Sequence, residues 1–145
     1  MDTIEFKKLS EKNLPRVVAL LTASNLPASD VRLEKQNFIV AELNSEIVGS
    51  IALERKGKNG LLRSFAVKES CRNRKIGEQL YREMVSQAKD HGMDQLYLLT
   101  TTADVYFKKL GWQIVTRDEV PVDIRATSEF SSVCPSTSIC MMYQL

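Results

Sequence analysis

Residues 60–84 read GLLRSFAVKESCRNRKIGEQLYREM. The first part, Gly60 to Val67, is mostly apolar and suits a β-strand. In the last part Ile76, Leu80, Tyr81 and Met84 recur at helical spacing, and Val85 and Ala88 continue the same face. Between them lies a polar loop with Arg72, Asn73, Arg74 and Lys75. A strand that passes through a basic loop into a helix is a common way to hold a phosphate. The first turn of the helix offers N–H groups with no acceptor and a partial positive charge. Phosphate loops are usually glycine-rich, because backbone must approach the anion closely. Here Gly77 is the loop's only glycine, and a solvated basic turn is the other reading of these residues.

Upstream, Thr3 to Leu9 predicts a first strand. A helix follows on Leu14, Val17, Val18 and Leu21, with Pro15 near its start and Asn25 and Pro27 ending it. NFIVAEL and EIVGSIALE read as two strands joined by a tight turn at Asn44-Ser45. Downstream, Gly92 suits the left-handed cap of the long helix. QLYLLTT then reads as a strand buried on both faces. Thr102 is placed to cap a short helix, ADVYFKKL, which Gly111 ends, and WQIV resumes strand. Residues 117–137 read as polar and irregular, and SICMMYQ as a last strand. The expected fold is mixed α/β, a central sheet flanked by helices.

The chain has 145 residues, which suits one domain spanning residues 1–145. Twenty Lys+Arg against eighteen Asp+Glu leave a net charge of +2, too little to argue for a nucleic-acid partner. No apolar run reaches the roughly 20 residues that a membrane span needs. The N-terminus lacks a signal-peptide pattern, so a cytoplasmic protein with reduced Cys71, Cys134 and Cys140 is expected. With no CxxC and a single histidine, His91, no metal site is expected.

Residues 65–84 resemble the acetyl-CoA-binding motif of the GCN5-related N-acetyltransferases, the GNAT superfamily. That loop reads Q/R-x-x-G-x-G/A; Arg72, Ile76 and Gly77 fit it, and Lys75 replaces its first glycine, a replacement that suits a position with ordinary helical φ. DVYFKKLGW, residues 104–112, resembles a later segment of the same superfamily, FYEKLGF. More narrowly, LLRSFAV, LYLLTTTADVYFKKLGW and IRATSEFSSVCPSTSICM together resemble the N-acetyltransferases associated with arsenic-resistance operons. The central segment also resembles the acetyltransferase domain of bacterial N-acetylglutamate synthases.

The resemblance implies a GNAT fold with a mixed, mostly antiparallel sheet, and acetyl-CoA as cosubstrate. The acceptor would be the amine of a small molecule, an amino acid or an amino-acid-like arsenical; homodimer formation is open. Main-chain groups of Phe65, Ala66 and Val67 would pair with the pantetheine arm. Arg72, Asn73, Arg74, Lys75, Ile76 and Gly77 would hold the pyrophosphate, and Phe107 would stand near the cofactor where many members have a tyrosine. A non-catalytic acyl-CoA-binding module on the same fold is the rival, motivated by Lys75 and Phe107.

Amine acetylation needs a base, and Glu54, at the end of a strand, is the first candidate; an exposed strand-end charge is the alternative. Tyr106 is the candidate acid, with helix packing as its other reading. Arg63, inside an apolar strand, needs a partner: a substrate carboxylate or an internal acid. Thr100 and Thr101 crowd a strand end where ligands often sit, and Arg125 and Cys134 lie in the distinctive tail; all four are candidates for substrate contact.

Overall fold

A computed structural model describes residues 3–133 and 137–145 of the chain. Seven strands form one sheet in the order β1-β2-β3-β4-β5-β7-β6. They are β1 (Ile4–Lys8), β2 (Asn37–Leu43), β3 (Glu46–Lys56), β4 (Asn59–Val67), β5 (Gln95–Thr100), β6 (Gln113–Val115) and β7 (Ile139–Gln144). Every pairing is antiparallel except β4 with β5. The β2–β3 turn places Asn44 and Ser45 at φ 52° and 64°. That is the backbone a two-residue hairpin turn requires.

The helices are α1 (Leu14–Ala23), α2 (Ile76–Asp90), α3 (Asp104–Lys109) and a single turn, α4 (Val122–Arg125). The predicted stripe on α2 is the buried one: Ile76, Leu80, Tyr81, Met84, Val85 and Ala88 pack on one face of the sheet, beside Ile51, Leu62, Leu96 and Leu98. On the opposite face, α1 closes over Phe38, Val40 and Ala52, while α4 and the tail close over Leu61 and Tyr97. Strand β5 therefore feeds two cores, as its nearly unbroken apolar sequence suggests.

Two features of the sheet make the site. The parallel ladder between β4 and β5 covers only Asn59–Leu61 against Gln95–Tyr97, and beyond it the two strands part. On the other side of β4, its register with β3 slips between Ser50↔Ala66 and Ala52↔Arg63. That is a β-bulge with one extra residue on β4, and Ser64 takes it up at φ 54°. The Ser50 hydroxyl donates to the Ser64 carbonyl at 2.7 Å and pins the bulge from the neighbouring strand.

Three local expectations change. Thr102 does not cap α3: the Thr100 hydroxyl accepts from the Ala103 N–H at 2.9 Å, two residues earlier than predicted. Lys75 is not in ordinary helical backbone but at φ 59°, the left-handed conformation in which glycine would be unstrained. The tail is not irregular throughout. It holds a 3-10 turn at Arg117–Glu119, α4, and a π-helical turn at Glu129–Val133. The 3-10 turn carries a capping box between Thr116 and Glu119, a T-x-x-E signal legible in the sequence.

Candidate active site

Where β4 and β5 part, a cleft of about 1170 Å³ opens. Its floor is the free edge of β4 from Leu62 to Val67, a row of backbone groups with no strand opposite them. One wall is the splayed end of β5, Leu98 to Thr102, leading into α3 with Tyr106 and Phe107. At one end the floor runs into the start of α2, with Arg72, Lys75, Gly77, Glu78 and Arg82. The other end is bounded by Ser24 to Pro27 after α1, and by Glu129 and Ser138 from the tail.

The loop end is held together by short-range bonds. Arg72 Nε donates to the Val67 carbonyl at 3.2 Å and ties the loop to the end of β4. Glu78 and Arg82 pair along α2 at 2.6 Å, leaving the cationic groups of Arg72 and Lys75 toward the solvent. The first N–H groups of α2 add the positive end of a 15-residue helix. A Cβ on Gly77 would meet Val67 and Phe65 no closer than 3.5 Å. Gly77 is thus not required by crowding from the protein itself.

The aromatic wall is continuous. Phe65, Tyr106 and Phe107 lie with ring centroids 5.2 to 6.4 Å apart, and Phe107 also touches Tyr81 and Trp112. Phe107 is buried, whereas Tyr106 is 43% exposed at the cleft. Burial, and then the nearby Glu78 charge, raise the Tyr106 hydroxyl above its usual range. Tyr81 also lines the cleft, which its place on the buried stripe of α2 does not reveal. Its hydroxyl accepts from the Trp112 indole N–H at 2.8 Å, and burial pushes it up to about 12.

The opposite end rests on a buried polar cluster that fills the gap between the α1 core and the tail core. Arg63 is its centre. Its guanidinium grips Asp30 through two hydrogen bonds of 2.5 and 2.6 Å, and its Nε donates to the Ser64 hydroxyl at 3.1 Å. Glu54 lies 3.8 Å and Glu129 4.0 Å from the same guanidinium. Gln36 donates to Glu54 at 3.0 Å. Burial would lower the Arg63 pKa, but Asp30, Glu129 and Glu54 outweigh it and hold it above its usual value. For Asp30 burial pushes upward, and the Arg63 hydrogen bonds and charge win, so its carboxyl sits below the usual range.

Of the residues singled out in the sequence, Arg63, Phe65, Ala66, Val67, Arg72, Lys75, Gly77, Thr100, Thr101, Tyr106 and Phe107 line this one cleft. Ile76 is buried beneath it, Asn73 lies in the 3-10 turn before α2, and Arg74 points to solvent away from the lining. Glu54 is buried in the middle of β3's pairing with β4 rather than exposed at a strand end, and it is not among the lining residues. Arg125 is exposed and outside the lining, and Cys134 lies outside the described residues. For Arg63 the structure supplies the internal acid. Sequence reasoning missed Tyr81, Glu129 and Ser138. Glu129 carried one usable signal, a carboxylate inside the otherwise apolar and hydroxylic run ATSEF.

A sheet that opens at a bulged strand, with the opening aimed at a basic helix start, sets a free strand edge and an anion-attracting helix N-terminus side by side. The model of the acetyltransferase (GNAT) domain matches residues 34–114, more than half of the chain, and the chain belongs to that family. Among curated relatives, an amino-acid acetyltransferase of Edwardsiella ictaluri is 32% identical over 93 residues, covering 61% of this chain and 20% of that protein. An N-acetyltransferase of Chlorobaculum tepidum is 27% identical over 90 residues, covering 61% of this chain and 57% of the relative. The chain thus spans a fifth to just over half of these relatives' length. Among solved structures, N-acetylglutamate synthase of Neisseria gonorrhoeae, complexed with coenzyme A and N-acetyl-glutamate, superposes with a TM-score of 0.82. It is 21% identical, and the match covers 99% of this chain and 35% of that one.

Proposed function

We propose that the protein transfers an acetyl group from acetyl-CoA to the amine of a small molecule. The observation that carries this reading is the short β4–β5 ladder: it leaves the Leu62–Val67 edge open beside a basic helix start. The pantetheine arm adds to that edge as an extra strand, using the main chain of Phe65, Ala66 and Val67. The pyrophosphate sits at the start of α2, against its first N–H groups, Arg72 and Lys75. With the phosphates beyond Val67, the arm runs back along β4 and delivers the thioester near the Ser64–Phe65 bulge. A backbone N–H of the open edge there faces the carbonyl oxygen as negative charge develops on it.

The wall of Phe65, Tyr106 and Phe107 shields the thioester from water. Phe107 cannot give a proton to the departing sulfur. Tyr106 is the hydroxyl on this wall with exposure to the cleft, and a thiolate, with a solution pKa of about 8.5, leaves without strong acid assistance. The amino-acid acetyltransferase relative favours an amino-acid acceptor, and the tail's resemblance to arsenic-resistance acetyltransferases favours an amino-acid-like arsenical. Both belong at the head of an acceptor screen. A homodimer would use the outer edge of β6, where Ile114 is half exposed.

Calorimetric titration with acetyl-CoA, beside dephospho-CoA, tests the reading. Micromolar binding of both, followed by release of CoA in the presence of an amine, is the expected result. Binding without turnover of any amine would favour the acyl-CoA-binding module, and absence of binding would overturn both.

A further inference from the structure

We infer that Glu129, which with Ser138 lines the tail end of the cleft, is the seat of the acceptor's amine, and that Glu129 takes its proton. The inference rests on the acetyltransferase reading and names the residue that the sequence assigned to Glu54. Three observations carry it.

The first is access. Glu129 is a buried carboxylate that lines the cleft, while Glu54 is buried, accepts from Gln36 and is absent from the lining. Glu129 lies 4.0 Å from Arg63 Nε, and the same Nε donates to the hydroxyl of Ser64, the bulge residue. The carboxylate therefore stands at the end of the β4 edge where the thioester arrives.

The second is charge. Asp30, Glu54 and Glu129 surround Arg63, and Lys56 adds a cation 3.9 Å from Glu54. Arg32 also acts on Asp30, and the carboxylate of this group that lines the cleft is Glu129. An ammonium group entering there meets a carboxylate of opposite charge, whereas a carboxylate entering there would meet one of like charge, with Arg63 already gripped by Asp30.

The third is an unmet hydrogen bond. Ser138 is 8% exposed and lines the cleft, and its hydroxyl has no partner among the described residues. A buried hydroxyl of this kind costs stability unless a ligand satisfies it. An ammonium supplies three donors, one for the Ser138 oxygen and one for the Glu129 carboxylate.

The chemistry balances. The ammonium gives one proton to Glu129, and the freed nitrogen lone pair forms the N–C bond to the acetyl carbonyl. Collapse of the tetrahedral intermediate breaks the C–S bond. The second nitrogen proton leaves as the thiolate is protonated, and Glu129 returns its proton to solvent. The products are the amide, CoA thiol and one proton.

The test uses calorimetry and steady-state kinetics on wild type, Glu129→Gln, Glu129→Asp and Ser138→Ala, with norvaline, its amide and butylamine as matched acceptors. Acetyl-CoA affinity should be unchanged in all variants. For the acceptor that wild type uses best, Glu129→Gln should lose about 100-fold in kcat/KM, the scale of a positioned base. Glu129→Asp, which keeps the charge but draws it back, should lose kcat while nearly keeping the acceptor KM. Ser138→Ala should raise the acceptor KM and spare kcat. Butylamine binding to the protein without cofactor should weaken about tenfold in Glu129→Gln. Wild type that fails to bind acetyl-CoA sinks the acetyltransferase reading; the amine titration still tests the seat. Equal amine affinity in wild type and Glu129→Gln, or turnover of Glu129→Gln within about threefold of wild type, overturns the assignment.

Discussion

The two ends of the cleft are built differently. The loop end comes from one unbroken run, Phe65 to Arg82, and its groups are mostly backbone: a strand edge, a bulge and a helix start. The tail end is assembled from side chains that lie far apart in the chain, Asp30, Glu54, Arg63, Glu129 and Ser138. A backbone-built site tolerates changes of side chain, and the departure at Lys75 falls in that half. A side-chain cluster around one buried cation does not. Its members satisfy one another, so the loss of one exposes the rest.

The largest effect should therefore come from the tail end. Arg63→Ala leaves three carboxylates facing one another with their shared cation gone. Removing one partner from a buried ion cluster costs about 3–5 kcal/mol. For a chain of this length, each kcal/mol lowers the melting temperature by roughly 2–4 °C. Asp30→Asn should cost less, because Glu54 and Glu129 still oppose Arg63. Acid should reproduce part of the loss. The Asp30 carboxyl sits lower when folded than when unfolded, so its contribution is present above the usual carboxylate range and fades as pH falls through the folded value. Melting curves of wild type and Asp30→Asn should converge at low pH. If Arg63→Ala melts like wild type, the contrast between the two ends is wrong.

This difference in construction also explains what could be read from the sequence. The strand, loop and helix of residues 60–84 are local, and their order alone places an anion site. The helix stripe, the hairpin at Asn44-Ser45 and the doubly buried β5 follow from periodicity. Lys75 shows the limit of such reading: its residue type argues for ordinary helical backbone, but the loop forces it to φ 59°. The tail end depends on which distant segments meet. Nothing in the residues near Glu54 says that Arg63, Asp30 and Gln36 will enclose it. Nothing near Glu129 says that a π-helical turn will carry it to the cleft.

The middle of the cleft gives an intermediate effect. Tyr81→Phe removes the acceptor of the buried Trp112 N–H, which costs about 1–3 kcal/mol. It should also change the alkaline limb of stability. The Tyr81 hydroxyl titrates near 10 when unfolded and about 12 when folded. Its stabilising contribution is complete below the unfolded value and is lost as pH rises through the folded one. Thermal melts from pH 9 upward should thus fall more steeply in wild type than in Tyr81→Phe. Parallel limbs would show that Tyr81 is not held neutral by the fold.

The smallest effect belongs to the loop end, at Lys75. Left-handed backbone costs a residue with a Cβ about 1–2 kcal/mol, and part of that is offset in a glycine by the entropy it loses on folding. Lys75→Gly should raise stability by up to about 1 kcal/mol, and Lys75→Val, stiff at its branched Cβ, should lower it by about as much. Acetyl-CoA affinity should move differently. Both variants lose the same charge beside the phosphates, so both should bind a few-fold more weakly, with the deficit shrinking as salt is added. A glycine variant that binds more tightly than wild type would mean that close approach of the backbone, rather than the lysine charge, limits cofactor binding. The loop end would then obey the same backbone logic at the position where a lysine replaces the motif glycine.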